Sequence, residues 1–432
     1  MLSNVGEADA GHPDVSRRRR WLIVLLLFLV QVANSADKSV LGLAAKPMMQ
    51  ELGLDIEQYG LLASSFYSLF AVGGLLVAFF VAPHVRPRHI LAALLFIWSV
   101  SQLPIVFAAS FTTVIACRVL LGMGEGAGTP TALTCCHEWF ANKDRNMPSA
   151  LVMFGTSAGF LLAAPVLSYT IQLFGWRAAF LACSLLGVAI LALWLTLGAD
   201  GPFRATTSRA DVPSATHRAI SQRAIWSDPT VIGICLLGFA AYWLTGFAIS
   251  WLAPFITLGL GFKLLDAGWV LSVIYASHAL LLLSISFYSQ RLLQSGRPSR
   301  LARGVIMGLC MAGSGVAFAV AAMVSDISIK LVAVTLATGL PGPIYPLLAS
   351  MISEIAPAAH RNRLLSLILA GITTAGMLSP ALAGWLISGN DASGWSQALL
   401  LQGGVAAIGS LVALAMLHPE RSIQRFARLG GQ

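Results

Sequence analysis

The sequence predicts an all-α membrane protein with twelve transmembrane helices in two pseudo-symmetric six-helix halves. The chain is 57% hydrophobic and only 10% charged, whereas soluble proteins carry roughly 25% charged residues. Apolar runs near the length of about 20 residues that crosses a bilayer recur along the chain. Short basic clusters separate alternate runs. Together these observations exclude water as the main solvent of the protein.

The apolar runs define two sets of six predicted spans, separated by a polar stretch. The first set is 21–45, 59–82, 89–109, 112–135, 147–172 and 178–198, and the second is 230–257, 267–289, 302–323, 328–353, 363–387 and 396–417. We therefore expect an N-terminal tail at 1–20, a six-helix bundle at 21–198, a linker at 199–229, a second bundle at 230–417 and a tail at 418–432. The linker is rich in Ala, Ser, Thr, Pro and Arg, which is typical of a surface connection.

The distribution of Lys and Arg predicts the orientation of the chain, because cytoplasmic loops retain positive charge. One predicted side holds Arg17 to Arg20, Arg86, Arg88, Lys143, Arg145, Arg204, Arg209, Arg218, Arg223, Arg291, Arg297, Arg300, Arg303, Arg361, Arg363, Arg421, Arg425 and Arg428. The other side holds only Lys46, Arg177, Lys263 and Lys330. Both termini and the linker are therefore expected in the cytoplasm, with the chain in a plasma membrane such as a bacterial inner membrane. The net charge of +9 then reflects topology, and we expect no nucleic-acid partner.

The two halves share a sequence pattern. The spacing of Gly60, Ser64 and Tyr67 in the second span returns in the eighth as Gly268, Ser272 and Tyr275. Halves of the same topology are related by an axis along the membrane normal, as in rocker-switch transporters. We expect alternating access, and a monomer, because no added dimerisation segment is evident.

Four ionisable residues other than histidine lie well inside the predicted spans: Asp37, Lys38, Arg118 and Glu125. Each costs roughly 2.5–3.5 kcal/mol on insertion scales, so the default interpretation is function, and a structural ion pair is the alternative. Arg118 and Glu125 are two helical turns apart and share a face with Gly122, which leaves room for a neighbouring helix. Asp37 and Lys38 diverge by about 100°. One of them is expected to face Arg118 and the other the cavity, and the pattern does not decide which.

Charge counting predicts coupling between protons and an anion. The four groups sum to zero when ionised, whereas protonating both carboxylates leaves two cations, so proton binding and anion binding favour each other. This predicts a symporter of a small organic anion. A proton-coupled antiporter that exports a drug or metabolite, and an uncoupled uniporter or exchanger, remain alternatives on the same fold. No HExxH or P-loop motif occurs, so we expect neither an enzyme, nor a cofactor, nor a metal site.

Several motifs resemble the major facilitator superfamily, and within it the anion:cation symporters that include hexuronate, galactonate, glucarate and sialin-like transporters. The fourth span and the loop after it read Arg118-x3-Gly122-x2-Glu125-x4-Pro130 and then Glu138-Trp139-Phe140. The first span contains Asn34-Ser35-Ala36-Asp37-Lys38, similar to the family's N-Y-x-D-R, and Gly175-Trp176-Arg177 resembles its G-W-R. The resemblance implies that Asp37 and Glu125 bind the coupling protons, that Lys38 stands in place of the substrate-binding arginine, and that Arg118 partners a carboxylate.

Further candidates for the substrate cavity are intramembrane aromatic and hydroxyl side chains, namely Tyr67, Phe70, Thr156, Tyr275 and Thr373. The alternative for Ser and Thr is a hydrogen bond to the helix backbone. Where the family's sugar-acid carriers have a tyrosine, a glutamine and an asparagine, this chain has Phe70, Thr156 and Leu369. This departure predicts a less hydroxylated anion, an aromatic or aliphatic carboxylate, because a pocket without those groups gives little compensation for burying hydroxyls.

Overall fold

The computed structural model describes residues 17–107, 110–140, 144–203, 221–356, 361–389 and 391–430, and its regular elements are all helical. The N-terminal half contains α1 (Arg17–Leu52), α2 (Ile56–Ser68), α3 (Phe70–Leu76), α4 (Pro87–Ser101), α5 (Leu103–Phe107), α6 (Phe111–Glu125), α7 (Gly128–His137), α8 (Asn146–Phe174) and α9 (Trp176–Leu197). A π-helical turn, Val77–Val81, continues α3. The short helix α10 (Gln222–Trp226) lies in the predicted linker, most of which is outside the described residues.

The C-terminal half contains α11 (Pro229–Pro254), α12 (Leu264–Gln294), α13 (Ile306–Met323), α14 (Ile327–Gly339), α15 (Ile344–Ile355), α16 (Arg361–Thr373), α17 (Ala375–Ser388) and α18 (Asp391–Met416). π-Helical turns extend α11 through Phe255–Gly259 and precede α13 at Arg300–Val305. A last helix, α19, covers Pro419–Gly430.

Within the described residues, eleven helical segments are long and apolar enough to cross a membrane. Each overlaps one predicted span. The fourth predicted span, 112–135, is the exception, because it is divided between α6 and α7 at Gly126 and Ala127. Close packing accompanies this break, since a Cβ at Gly126 would overlap the carbonyl oxygen of Phe70.

Local sequence signals set several helix ends. Asp55 and Gln58 form a reciprocal capping box at the start of α2. Asp228 caps α11, with Pro229 in its first turn. Gly175 takes a φ of 82° between α8 and α9, a left-handed conformation that favours glycine. The Gly175-Trp176-Arg177 motif then acts as an anchor, because the Trp176 indole and Arg177 both donate to Glu51, at 2.7 and 2.5 Å.

Both ends of the chain are helical beyond the predicted spans. Helix α1 begins at Arg17 and continues to Leu52, beyond the predicted span 21–45, because Glu51 at its end is held by α9. The predicted C-terminal tail is largely helical in α19. Its Ser422 donates to Asp228 Oδ1 at 2.8 Å, and its Phe426 is buried. These contacts hold the tail against the beginning of α11.

The two halves meet through equivalent helices. Helices α2 and α17 pack together, as do α8 and α12, and α1 packs on α11. The repeated glycines lie at these contacts: Gly60 approaches the backbone of Pro380, and Gly268 approaches Ser168. Two hydrogen bonds, from Tyr59 to the Ser250 carbonyl at 2.9 Å and from Ser272 to the Leu161 carbonyl at 2.7 Å, also join the halves.

Candidate functional site

Helix α1 carries polar residues in the middle of an apolar segment. Asn34 and Asp37 are buried and Lys38 is partly buried. Asn34 and Lys38 are four residues apart and share a face of the helix, whereas Asp37 diverges from Lys38 by about 100°. Because α1 packs against α8, α9 and α11, these side chains lie in the interior of the bundle.

Lys38 forms an ion pair with Glu125 of α6. Its Nζ lies 3.0 Å from Glu125 Oε2 and donates a 2.5 Å hydrogen bond to Asn34 Oδ1. The ammonium also lies 6.0 Å from the centre of the Phe70 ring. The Lys38 side chain is 16% exposed and that of Glu125 is 0% exposed. Lys38 is therefore the partner that a ligand can reach.

Asp37 faces the other side of α1. Gln102, between α4 and α5, donates from Nε2 to Asp37 Oδ1 at 2.7 Å. Arg118 donates to the main-chain oxygen of Asp37 at 3.2 Å, and its guanidinium lies 4.8 Å from the centre of the Phe66 ring. Of the two adjacent residues of α1, Asp37 thus lies beside Arg118 and Lys38 beside Glu125. Arg118 bonds the main chain of Asp37, which differs from the carboxylate partner expected from the resemblance.

Gly122 allows the close approach of α2 and α6 that the sequence predicts. A Cβ at this position would overlap the carbonyl oxygen of Phe66. The contact brings Phe66 over Arg118, one helical turn before Gly122. The prediction that Gly122 accommodates a neighbouring helix is therefore confirmed.

Four aromatic rings form a continuous aromatic wall, defined here as Phe70, Tyr67, Tyr242 and Tyr345. Neighbouring ring centres along it are 6.2, 5.9 and 6.3 Å apart. The wall begins under Lys38 at Phe70 and crosses from the N-terminal half to the C-terminal half between Tyr67 and Tyr242. At its far end the Tyr345 hydroxyl lies 2.5 Å from the Thr245 hydroxyl.

The remaining predicted site residues make contacts that do not involve Lys38 or Glu125. Thr156 accepts a 3.2 Å hydrogen bond from Gln31 Nε2. Tyr275 packs against Phe160 with ring centres 5.1 Å apart. Thr373 donates to the Ala370 carbonyl at 2.8 Å, so its hydroxyl satisfies its own helix.

Four side chains at the site were not among the predicted site residues: Gln31, Gln102, Thr245 and Tyr345. Gln31 is seven residues before Lys38, on the same face of α1, and its Nε2 also contacts the Thr129 hydroxyl at 3.1 Å. A neutral amide in an apolar span is less costly than a charge and is easily passed over. Tyr345 follows the Pro341-Gly342-Pro343 break between α14 and α15, and this break is the sequence signal that could have indicated it.

A groove of about 700 Å³ lies away from these residues, between α12 and α14. Its lining is apolar and includes Trp269, Val273 and Val332, each more than 60% exposed. In a membrane-spanning chain such a surface faces lipid. It contains none of the predicted site residues.

Comparison with known proteins agrees with the fold. The family model of the Major Facilitator Superfamily matches residues 27–306 and 247–430. The chain is 24% identical over 409 residues to a hexuronate transporter of Bacillus subtilis, covering 92% of this chain and 94% of the relative. A probable sulfoacetate transporter of Cupriavidus necator is 22% identical, with the same coverage.

A solved structure of similar fold is a bacterial homologue of the human lysosomal transporter Spinster in an inward-facing, unoccupied conformation. It has a TM-score of 0.79 and 17% identity, and the match covers 95% of this chain and 99% of that one. These relatives are transporters and not enzymes. The chain belongs to the Major Facilitator Superfamily and, as its motifs indicated, resembles the anion transporters within it.

Proposed function

We propose that this protein is a secondary transporter that couples the uptake of a small organic anion to protons. The observation that carries the proposal is the buried ion pair between Lys38 and Glu125. A cation held in the membrane interior by a carboxylate binds a second carboxylate best when the first is neutral. Glu125 thus competes with the transported anion for Lys38.

Protonation of Glu125 is the coupling step in this proposal. A proton on Glu125 neutralises its carboxylate, so Glu125 no longer forms an ion pair with Lys38. Asn34 keeps the Lys38 ammonium in place through its 2.5 Å hydrogen bond. The anion then takes the position of the Glu125 carboxylate. Release of the anion restores the ion pair and expels the proton. Asp37 is the second proton-binding group, and Arg118 supports the site through the main chain of α1.

The comparisons support an anion as the substrate, since hexuronate and sulfoacetate, named for two relatives, are both anions. We further propose that α6 and α7 together make a twelfth membrane crossing, with both termini in the cytoplasm of a bacterial cell. In this arrangement the contacts of Tyr59 with Ser250 and of Ser272 with Leu161 lie at the external end. These contacts break and re-form during alternating access. The protein acts as a monomer.

The test is uptake into proteoliposomes of a panel of radiolabelled organic acids, comprising sugar acids, sulfonates, and aromatic and aliphatic monocarboxylates, with and without an inward proton gradient. Empty liposomes are the control. We expect accumulation only with the gradient, and we expect Glu125→Gln to lose accumulation while retaining exchange of internal for external anion. Uptake that is independent of the proton gradient would indicate a uniporter or exchanger. Gradient-driven export of cationic compounds, without anion movement, would replace the proposal with a drug antiporter.

A further inference from the structure

We infer that the transported anion is an aromatic monocarboxylate, with its carboxylate on Lys38 and its ring against the aromatic wall of Phe70, Tyr67, Tyr242 and Tyr345. This inference rests on the proposed function and narrows it to one class of substrate.

The site offers one accessible cation. Lys38 is 16% exposed in its side chain, whereas Arg118 is 3% exposed and bonds the main chain of Asp37. Once Glu125 is neutral, a single carboxylate satisfies Lys38. A dianion would bring a second negative charge, and Arg118 is too buried to pair with it. One negative charge on the ligand is therefore favoured.

The surroundings of that cation are aromatic. The Phe70 ring lies 6.0 Å from Lys38 Nζ, and the wall continues through Tyr67 into the C-terminal half at Tyr242. Phe70, Tyr242 and Tyr345 are all only partly buried, which leaves part of each ring open to contact. Stacked and edge-to-face pairs favour an aromatic partner beyond the area that they bury.

Three hydroxyl groups of the wall and of the other candidate site residues, those of Tyr345, Thr373 and Thr156, already have partners. Tyr345 and Thr245 bond each other, Thr373 donates to the Ala370 carbonyl, and Thr156 accepts from Gln31. The hydroxyl groups of a polyhydroxylated acid would lose their hydrogen bonds to water here and would find few protein groups to replace them. Burying a hydroxyl without a hydrogen-bond partner is costly.

Tyr67 supplies a further polar contact. Its hydroxyl is buried and has no hydrogen-bond partner in the part of the chain that the structure describes. Tyr67 packs on Phe70, the ring below Lys38. A donor at this position is suited to the second oxygen of a carboxylate that Lys38 binds.

The test is equilibrium binding of benzoate, cyclohexanecarboxylate and glucuronate to the purified full-length protein in detergent. Cyclohexanecarboxylate matches benzoate in charge and approximate size but has no aromatic ring, and glucuronate adds hydroxyls. We expect benzoate to bind about tenfold more tightly than either, since two aromatic contacts are each worth a factor of roughly 2 to 12.

Three variants test whether the preference for benzoate over cyclohexanecarboxylate depends on the aromatic wall. Tyr242→Leu is expected to reduce the ratio of benzoate to cyclohexanecarboxylate affinity to below about threefold, and Tyr242→Phe to preserve it, because the ring and not the hydroxyl is used. The matched control is Tyr288→Leu, a tyrosine on α12 that is 59% exposed and outside the site. It should leave the ratio unchanged.

Two results would overturn the inference in distinguishable ways. If glucuronate or cyclohexanecarboxylate binds as tightly as benzoate, and the same acid accumulates in proteoliposomes with the proton gradient, the aromatic class is wrong and the proposed function stands. If none of the three acids binds and no anion of the proteoliposome panel is taken up, the proposed function fails and this inference fails with it.

Discussion

Lys38 Nζ of α1 and Glu125 Oε2 of α6 lie 3.0 Å apart. The pair is buried on the glutamate side and partly open on the lysine side. This asymmetry gives the two residues different roles, and the first two predictions test them.

Lys38→Gln should destabilise the protein by about 3 kcal/mol, because removing one member of a buried pair leaves the other charge uncompensated. Glu125→Gln should cost a similar amount. The double variant Lys38→Gln/Glu125→Gln should recover most of the loss, which gives a coupling energy in a double-mutant cycle. Thermal unfolding in detergent measures stability, and anion binding by the same variants measures function. The double variant should be stable but inactive, and additive losses would mean that the pair is not formed.

Anion affinity should increase as the pH falls. If anion binding requires one proton on Glu125, the bound state holds one more proton than the free state, and affinity changes by about tenfold per pH unit over the titration range. Binding measured in buffered detergent from pH 5 to 8 tests this, and Glu125→Gln should flatten the profile. Affinity that rises with pH would contradict the assignment. The remaining charged groups nearby are Asp37, on a different side of α1 from Lys38, and Arg118, which packs against that side.

The four charged residues and the general fold were predictable from the sequence, because charges in apolar spans are costly and conspicuous. The pairing of Lys38 with Glu125 was not, because Asp37 and Lys38 are adjacent and their partners depend on the rotation of α1 against α6. The break of the fourth span at Gly126 was also missed. Its composition is that of a continuous helix, and the break depends on close contact with α3, which the sequence does not encode locally.

The hydrogen bond from Gln102 to Asp37 should stabilise the N-terminal half. Gln102 and Asp37 are 1% and 3% exposed, and the bond is 2.7 Å long. Bonds to a charged group contribute about 1.5–3 kcal/mol, so Gln102→Leu should lower the unfolding free energy by that amount. In the Asp37→Asn variant the amide oxygen can still accept a hydrogen bond from Gln102. In that background Gln102→Leu should lower the unfolding free energy by less than it does in the unsubstituted protein. Equal costs in both backgrounds would show that the charge of Asp37 does not contribute to the bond.

The contact at Gly122 gives the sharpest packing prediction. A Cβ there would overlap the carbonyl oxygen of Phe66, and a backbone atom in a helix cannot move aside as a side chain does. Gly122→Ala should therefore separate α2 from α6, disturb the position of Phe66 over Arg118, and cost about 3 kcal/mol. The matched control is Gly371→Ala in α16, where nothing lies within 4 Å of the added Cβ.

Gly371→Ala should be neutral or stabilising by about 0.5–1 kcal/mol, because alanine is the better helix residue. The same thermal unfolding measurement serves both glycine variants, and anion binding to Gly122→Ala reports whether Arg118 and Glu125 keep their places on α6. If Gly122→Ala unfolds and binds like the unsubstituted protein, α2 and α6 do not approach as closely as described, and the stacking of Phe66 on Arg118 loses its structural basis.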